Sequence, residues 1–274
     1  ALSGLEPIDR VIELDRRQPE LTWTTQEYLD KVVPPSRVKR ARRKLAENRQ
    51  LLEHIRDRFG VQPRFIVAFW GIETDFGRLT GGFPVIGALA TLAYDGRRGA
   101  YFRRELLNAL RIVDAGHVEP DDMEGSWAGA MGQAQFMPST FLSYATDFDN
   151  DGRIDLWHSK RDVFASAANY LSKMGWNGDE TWGRAVQLPD DLDRDIIGKD
   201  TRRSLRQWQS LGVRRANGRD LPIVDGMEGS LIQPDGPGTP AYLVYDNFRT
   251  ILRWNRADSF GLAVGTLADA MVGL

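Results

Sequence analysis

The chain contains no cysteine. Disulfides, thiolate nucleophiles and zinc sites built on Cys are therefore excluded. The absence fits both cytoplasm and periplasm and selects neither. Histidine is scarce, with His54, His117 and His158 the whole supply. None stands in a metal-pair spacing, and no GxSxG turn occurs, so a Ser-His-Asp enzyme is not indicated. A P-loop and a dinucleotide fingerprint are also missing. No apolar run reaches the roughly 18 residues a membrane helix needs. Net charge is only −2, so nothing pulls the chain toward nucleic acid. Lysine is rare too: six of the 36 basic residues, the rest being Arg. Arg favours bidentate and stacked contacts. No leader is visible, and a start at Ala is compatible with a removed leader or lipid-anchor segment.

What is present is an ordinary globular composition, 42% hydrophobic and 27% charged over 274 residues. That suffices for one large domain or two smaller ones. The most apolar stretch is Phe65 to Gly77, FIVAFWGIETDFG. As a helix it is apolar on nearly every side, which marks a buried one. Pro63 suits its first turn and Gly77 its stop. Its one Glu, Glu73, then sits near the exposed end, above Phe69 and Trp70. Desolvation against rings favours the protonated form of such a carboxyl, as a proton donor needs. The competing expectation is a Glu that caps the helix or pairs with an Arg.

Around this helix the chain reads as mainly α with a small β-rich part. Residues 1–24 read as an irregular arm, and Thr25 to Val33 as a short helix stopped by Pro34 and Pro35. Ser36 opens one long helix to Gly60, carrying Arg37, Lys39, Arg40, Arg42 and Arg43 as a solvated face or a patch for an acidic polymer. Two helices follow, Ile86 to Tyr94 and Tyr101 to Ala115, around a turn presenting Arg97 and Arg98. The segment GSWAGAMGQAQFMPSTF, Gly125 to Phe141, has small residues where backbone must pass close to something. Ser159 caps a helix through Met174. Short β-compatible runs at 182–188, 221–224, 229–233 and 241–245 then alternate with turns, with one helix at 200–211. Residues 247–255 and 259–271 return to helix.

Asp147, Asp149, Asp151, Gly152 and Asp155 match the first nine positions of a calcium loop. Alternating oxygen ligands and a Gly at position 6 are what a hard cation requires, with Arg153 contributing its carbonyl. Position 12 departs, since His158 replaces the bidentate Glu. Asp162 can substitute in a longer loop, or else it completes a capping pattern with Ser159. An Asx-rich turn without metal is the alternative for the whole loop. The aromatics Tyr28, Tyr101, Tyr170 and Trp254 fall near polar or Gly-rich segments, where rings can stack on sugars.

GIETDFG, then YDGRRGAYF, then GSWAGAMGQAQFMPSTF, then the Asp-rich loop running into ANYL together resemble the B family of lytic murein transglycosylases (glycoside hydrolase family 103). The resemblance covers about Trp23 to Met271. It implies cleavage of the β-1,4 bond between N-acetylmuramic acid and N-acetylglucosamine, leaving a 1,6-anhydromuramoyl end. It also implies a core like goose-type lysozyme at 63–180, a helical region from 1–62 and 246–274, and a β-rich insertion at 181–245. Glu73 matches the family's single acid/base, and Ser126 its active-site serine. Arg97, Arg98, Tyr101, Gln135, Phe136, Tyr28 and Tyr170 match groove positions. Trp254, Asn255 and Phe260 stand where the family has Tyr, Asn and Tyr, so two rings are kept without their hydroxyls. The Asp-rich loop, with Asp147, Asp149, Asp151, Arg153, Asp155 and Asp162, matches a structural Ca2+ site, and no organic cofactor is implied. Implied partners are peptidoglycan strands and muropeptides, with cell-wall remodelling proteins as further candidates. The implied location is the periplasm, soluble or lipid-anchored at the outer membrane.

Ordinary glycosidases use two carboxylates. Asp75, roughly 200° around the helix from Glu73, should point away and be structural. One carboxylate suffices if the substrate supplies the nucleophile. A lysozyme-like hydrolase and a non-catalytic glycan-binding module are the rival expectations.

Overall fold

The computed structural model describes residues 2, 4–17 and 23–273. The chain divides into two compact units, one of Ala1–Thr22, Pro35–Lys173 and Leu267–Leu274, the other of Trp23–Pro34 and Met174–Thr266. Helix dominates, and the strands are few and short. The sequence expectation of a mainly α chain with a small β-rich part therefore holds. Among the described residues no helix is long and apolar enough to cross a membrane.

Helix α1 spans Asp9–Arg16. The sequence led us to expect an irregular arm here; residues 1, 3 and 18–22 of that arm lie outside the described residues. The helix escapes a periodicity search because it buries only Val11 and Asp15. It docks through polar contacts: Ile8 N–H donates to Thr91 Oγ1 at 3.0 Å, and Asp15 receives two arginines. Helix α2 (Thr25–Val32) belongs to the second unit and opens on a reciprocal capping box between Thr24 and Glu27.

The long helix expected from Ser36 to Gly60 is two, α3 (Pro35–Glu47) and α4 (Arg49–Phe59). The break is at Asn48, whose φ of −112° and ψ of 17° leave the helical region. Its side-chain amide donates to Lys44 O at 2.8 Å, the kind of local bond with which Asn competes against a helix.

Helix α5 (Pro63–Thr74) is the buried element, with every residue from Phe65 to Gly71 out of solvent. It ends three residues before the expected Gly77. Asp75, Phe76 and Gly77 instead adopt φ values of 49°, 65° and 80° in succession. The short strand β1 (Phe83–Pro84) leads into α6 (Val85–Asp95) and α7 (Gly99–Asp114). β1 pairs antiparallel with β2 (Glu124–Gly125), setting Phe83 opposite Gly125. Helices α8 (Pro138–Tyr144) and α9 (Lys160–Lys173) complete this unit's body.

The second unit is built on β3 (Gly183–Gln187), β4 (Arg203–Ser204), β5 (Arg214–Arg215), β6 (Glu228–Ile232) and β7 (Ala241–Val244). They form one antiparallel sheet in the order β4-β6-β7-β3-β5. Helix α10 (Leu205–Ser210) starts later than expected, at a capping box between Ser204 and Gln207. Its Trp208 is fully buried with Leu231, Leu243 and Tyr245. Residues 221–224 form no strand; Leu221 goes to the same core instead, so its burial is not strand burial. Helices α11 (Asp246–Trp254) and α12 (Asp258–Val272) close the chain.

Candidate active site

Glu73 lies half-buried in the last turn of α5. The turn after it is held from three sides. Asp75, only 6% exposed, receives Arg40 Nη2 at 2.8 Å, Arg78 Nη1 at 3.0 Å and Arg37 Nε at 3.5 Å. Arg37 and Arg40, expected on a solvated face, are instead mostly covered anchors for this carboxylate. A left-handed Asp costs free energy that surrounding contacts must offset, and this cluster does so. Phe76 folds back so tightly that a Cβ at Gly71 would lie 2.7 Å from its ring. Its ring also meets Trp70 edge-on at 5.6 Å.

The third side is the segment from Gly125 to Phe136. Thr74 Oγ1 donates to Gln133 O at 3.0 Å and accepts from Gly77 N at 3.0 Å. Trp70 Nε1 donates to Gln133 Oε1 at 2.8 Å. The segment is itself stitched by bridges from Met131 to Gly125 and to Phe136. Ser126 Oγ accepts from Ala130 N at 3.0 Å and Ala128 N at 3.3 Å. Both its lone pairs are thus engaged, and the O–H is what it has left to donate. Gln135 sits at φ 49° and donates Nε2 to Gly132 O at 2.9 Å and Thr80 O at 3.0 Å. A side chain at Gly81 would strike the Gly125 carbonyl, so the loop leaving α5 runs directly against this segment.

Phe136 and Tyr170 meet at 6.0 Å and are both buried. Neither ring, expected in a groove, is presented at the surface. Arg97 and Arg98 stand on the α6–α7 turn. Arg97 donates Nε to Asp15 Oδ2 at 2.7 Å and Nη2 to Asp15 O at 2.8 Å, and Arg98 donates Nη2 to Asp15 Oδ1 at 2.7 Å. Arg97's hydrogen bond, ahead of Arg98's, holds the Asp15 carboxyl below the usual range. Tyr101, half-buried on α7, has its phenol pushed up by burial and then by Glu105. Glu105 accepts Ser139 N at 2.9 Å, closing the start of α8. Tyr28, Trp254, Asn255 and Phe260 belong to the second unit. Phe260 is buried there, Tyr28 and Trp254 half-buried, and Asn255 exposed.

In the Asp-rich loop, carboxylate oxygens of Asp147, Asp149 and Asp162 lie within 4.8 Å of one another. Asp162 is 1% exposed, and burial, then the neighbouring Asp149 and Asp147, push its pKa up. A buried carboxylate facing two others is relieved by a cation, so these residues fit a hard ion. Asp162 does not close a capping box. Ser159 Oγ accepts its N–H at 3.3 Å, but its own oxygens turn inward to Phe148 N at 2.8 Å and Asp155 N at 2.9 Å. Asp151 Oδ1 accepts Arg153 N, and Asp155 Oδ1 accepts Trp157 N and His158 N, each at 2.8 Å. The arginine anchors of Asp75, the Asp15 latch and Gln133 were not found from sequence. Only Asp75's place two residues after Glu73 signalled anything.

The transglycosylase SLT domain family model matches residues 1–269. Membrane-bound lytic murein transglycosylase B of Escherichia coli K12 is 36% identical over 220 residues, 78% of this chain. The chain spans 58% of that relative's length. SltB3 from Pseudomonas aeruginosa, solved in complex with NAG-anhNAM-pentapeptide, is 43% identical with a TM-score of 0.95, over 99% of this chain and 72% of its own. An Escherichia coli lytic transglycosylase solved in complex with calcium is 31% identical with a TM-score of 0.84, over 99% of this chain and 85% of its own. On a match that runs over nearly its whole length, the chain belongs to the transglycosylase SLT domain family.

Proposed function

We propose that this protein is a peptidoglycan lytic transglycosylase, cutting the MurNAc-β-1,4-GlcNAc bond and leaving 1,6-anhydroMurNAc ends. The observation that carries it is the tethering of Glu73's helix end by Asp75 and the Gln133 segment. Asp75, the carboxylate next to Glu73 in sequence, is committed to three guanidiniums and is not the second group of a two-carboxylate hydrolase. Glu73 as acid protonates the leaving O4 as the C1–O4 bond breaks. As carboxylate it then takes the O6 proton while O6 closes on C1. The 2-acetamido oxygen stabilises the charge between, with Ser126 O–H as its orienting donor. Intramolecular attack gains effective molarity over water. Arg97, Arg98, Tyr101, Gln135, Phe136, Tyr28, Tyr170, Trp254, Asn255 and Phe260 are the proposed groove residues. The likeness to a structure holding NAG-anhNAM-pentapeptide supports the product chemistry.

Asp147, Asp149 and Asp162, with Asp151, Arg153 and Asp155, would hold Ca2+ in a structural role. The place of action is the periplasm, where the polymer lies. Purified sacculi digested with the protein should release anhydro ends by mass spectrometry; reducing muramic acid ends would make it a hydrolase instead. Glu73→Gln should cut turnover by about 1,000-fold while binding persists, in line with general acid–base contributions.

A further inference from the structure

Gln133 uses all its polar groups, and they divide between two places. On one side, Oε1 accepts Trp70 Nε1 at 2.8 Å and its carbonyl accepts Thr74 Oγ1 at 3.0 Å. Trp70 and Thr74 stand three residues before and one after Glu73. On the other side, Nε2 donates to Trp157 O at 2.6 Å and the backbone N–H to Leu156 O at 2.8 Å. The amide orientation is forced, because an indole N–H only donates and a carbonyl only accepts. A side chain on Gly77 would collide with this amide, so the contact is close on the helix side as well.

Leu156 and Trp157 are the tail of the Asp-rich loop. Asp155 Oδ1 fixes Trp157 N at 2.8 Å, and Asp155 N is fixed by Asp162 Oδ2 at 2.9 Å. Trp157 Nε1 is held by Glu124 O at 2.8 Å. A continuous run of hydrogen bonds therefore joins Asp162 to Trp70 and Thr74, in the helical turn that carries Glu73. An ion that draws Asp147, Asp149 and Asp162 together acts on the first member of that run.

We propose that Gln133 is a positioning residue that relays the state of the Asp-rich loop to Glu73. The proposal takes from the preceding section that Glu73 is the acid/base and that the Asp-rich loop holds a hard ion. Such a relay is reciprocal: what the ion does for Glu73's helix, that helix returns to ion affinity.

The test uses the full chain, stripped by chelator and titrated with calcium alone, observed by indole N–H resonances. Trp70→Phe assigns the Trp70 peak. In wild type the Trp157 and Trp70 peaks should both move; in Gln133→Met only Trp157 should. A Trp70 peak that stays still in wild type, or that moves equally in Gln133→Met, overturns the relay. On glycan substrate, Gln133→Met should lower kcat about tenfold, mid-range for relaying side chains. Its KM should stay within about twofold, its turnover should ignore calcium, and calcium should still raise its Tm. Wild-type kcat with wild-type calcium response in that variant also overturns it. If Gln133→Met does not fold, Trp70→Phe cuts the same link from the helix side and should lose the calcium response of kcat. If wild type leaves sacculi intact, the proposed activity fails, and the resonance experiment still decides the relay.

Discussion

The two units place their charges differently. The first has exposed ion pairs along α1, α3 and α4, but it also buries two carboxylates to which arginines come: Asp75 is 6% exposed and Asp15 3%. In the second, Arg202 meets Asp246 and Glu228 with side chains 39%, 50% and 48% exposed. The buried pairs each fix a junction, a left-handed helix end in one case and the docking of α1, beside its buried Val11, in the other. The exposed ones decorate a sheet whose apolar core around Trp208 already holds it. Ion pairs at the surface contribute little, whereas removing one partner of a buried pair strands the other. The two buried carboxylates of the first unit fix the backbone around them; the Arg202 pairs of the second cover a surface.

Stability measurements by denaturant unfolding can break this contrast. The largest loss belongs to Trp208→Ala in the uncharged core, about 4 kcal/mol. Asp75→Ala should follow at about 3 kcal/mol, because Arg37 and Arg40 are left mostly covered without their anion. A loss below about 1 kcal/mol there would remove the claim that the buried cluster holds the helix end. Asp15→Asn should cost about 1.5 kcal/mol at neutral pH. Its pH dependence sharpens the point. The folded Asp15 carboxyl is lowered below its unfolded value, chiefly by the Arg97 hydrogen bond. Its contribution is therefore complete above the ordinary carboxylate range and fades as pH falls through the lowered value. The gap between wild type and Asp15→Asn should close on acidification, and a constant gap down to about pH 3 would sink the ion-pair account. Arg202→Ala should be the mildest, within about 0.5 kcal/mol.

What was legible in the sequence was whatever depends on pattern. The buried helix shows in FIVAFW, and the helical body and late strands show in periodicity and turn residues. Glu73 and the Gly125 to Phe141 segment stand out by composition and by family likeness. What was hidden depends on partners distant in sequence. Nothing near Asp75 predicts that Arg37 and Arg40 reach it, so the basic face of α3 read as solvent-facing. Helix α1 was hidden for the same reason, since its anchor is a carboxylate met by a turn 82 residues away. The break at Asn48 rests on a side-chain bond to Lys44 O that competes with the helix, and the apolar repeat running past it on both sides hides it. Asp162 offered two local roles, cap or ligand, and only geometry shows its oxygens turned into the loop.

The end of α5 also bears on the order in which the molecule assembles. Its left-handed stop is closed by Arg40 from 35 residues upstream and by Gln133 O from 59 residues downstream of Thr74. No local signal replaces them, so an isolated 63–77 segment would fray where Glu73 sits. Closing such loops costs entropy before the contacts form. The end of α5 around Glu73 therefore reaches its final geometry only late in folding, after α3 and the Gly125 to Phe136 segment have docked. A nascent or partly unfolded chain would carry the glutamate without the surroundings that the folded chain gives it. Hydrogen exchange should find the Thr74 to Gly77 amides opening more readily than those of Phe65 to Trp70.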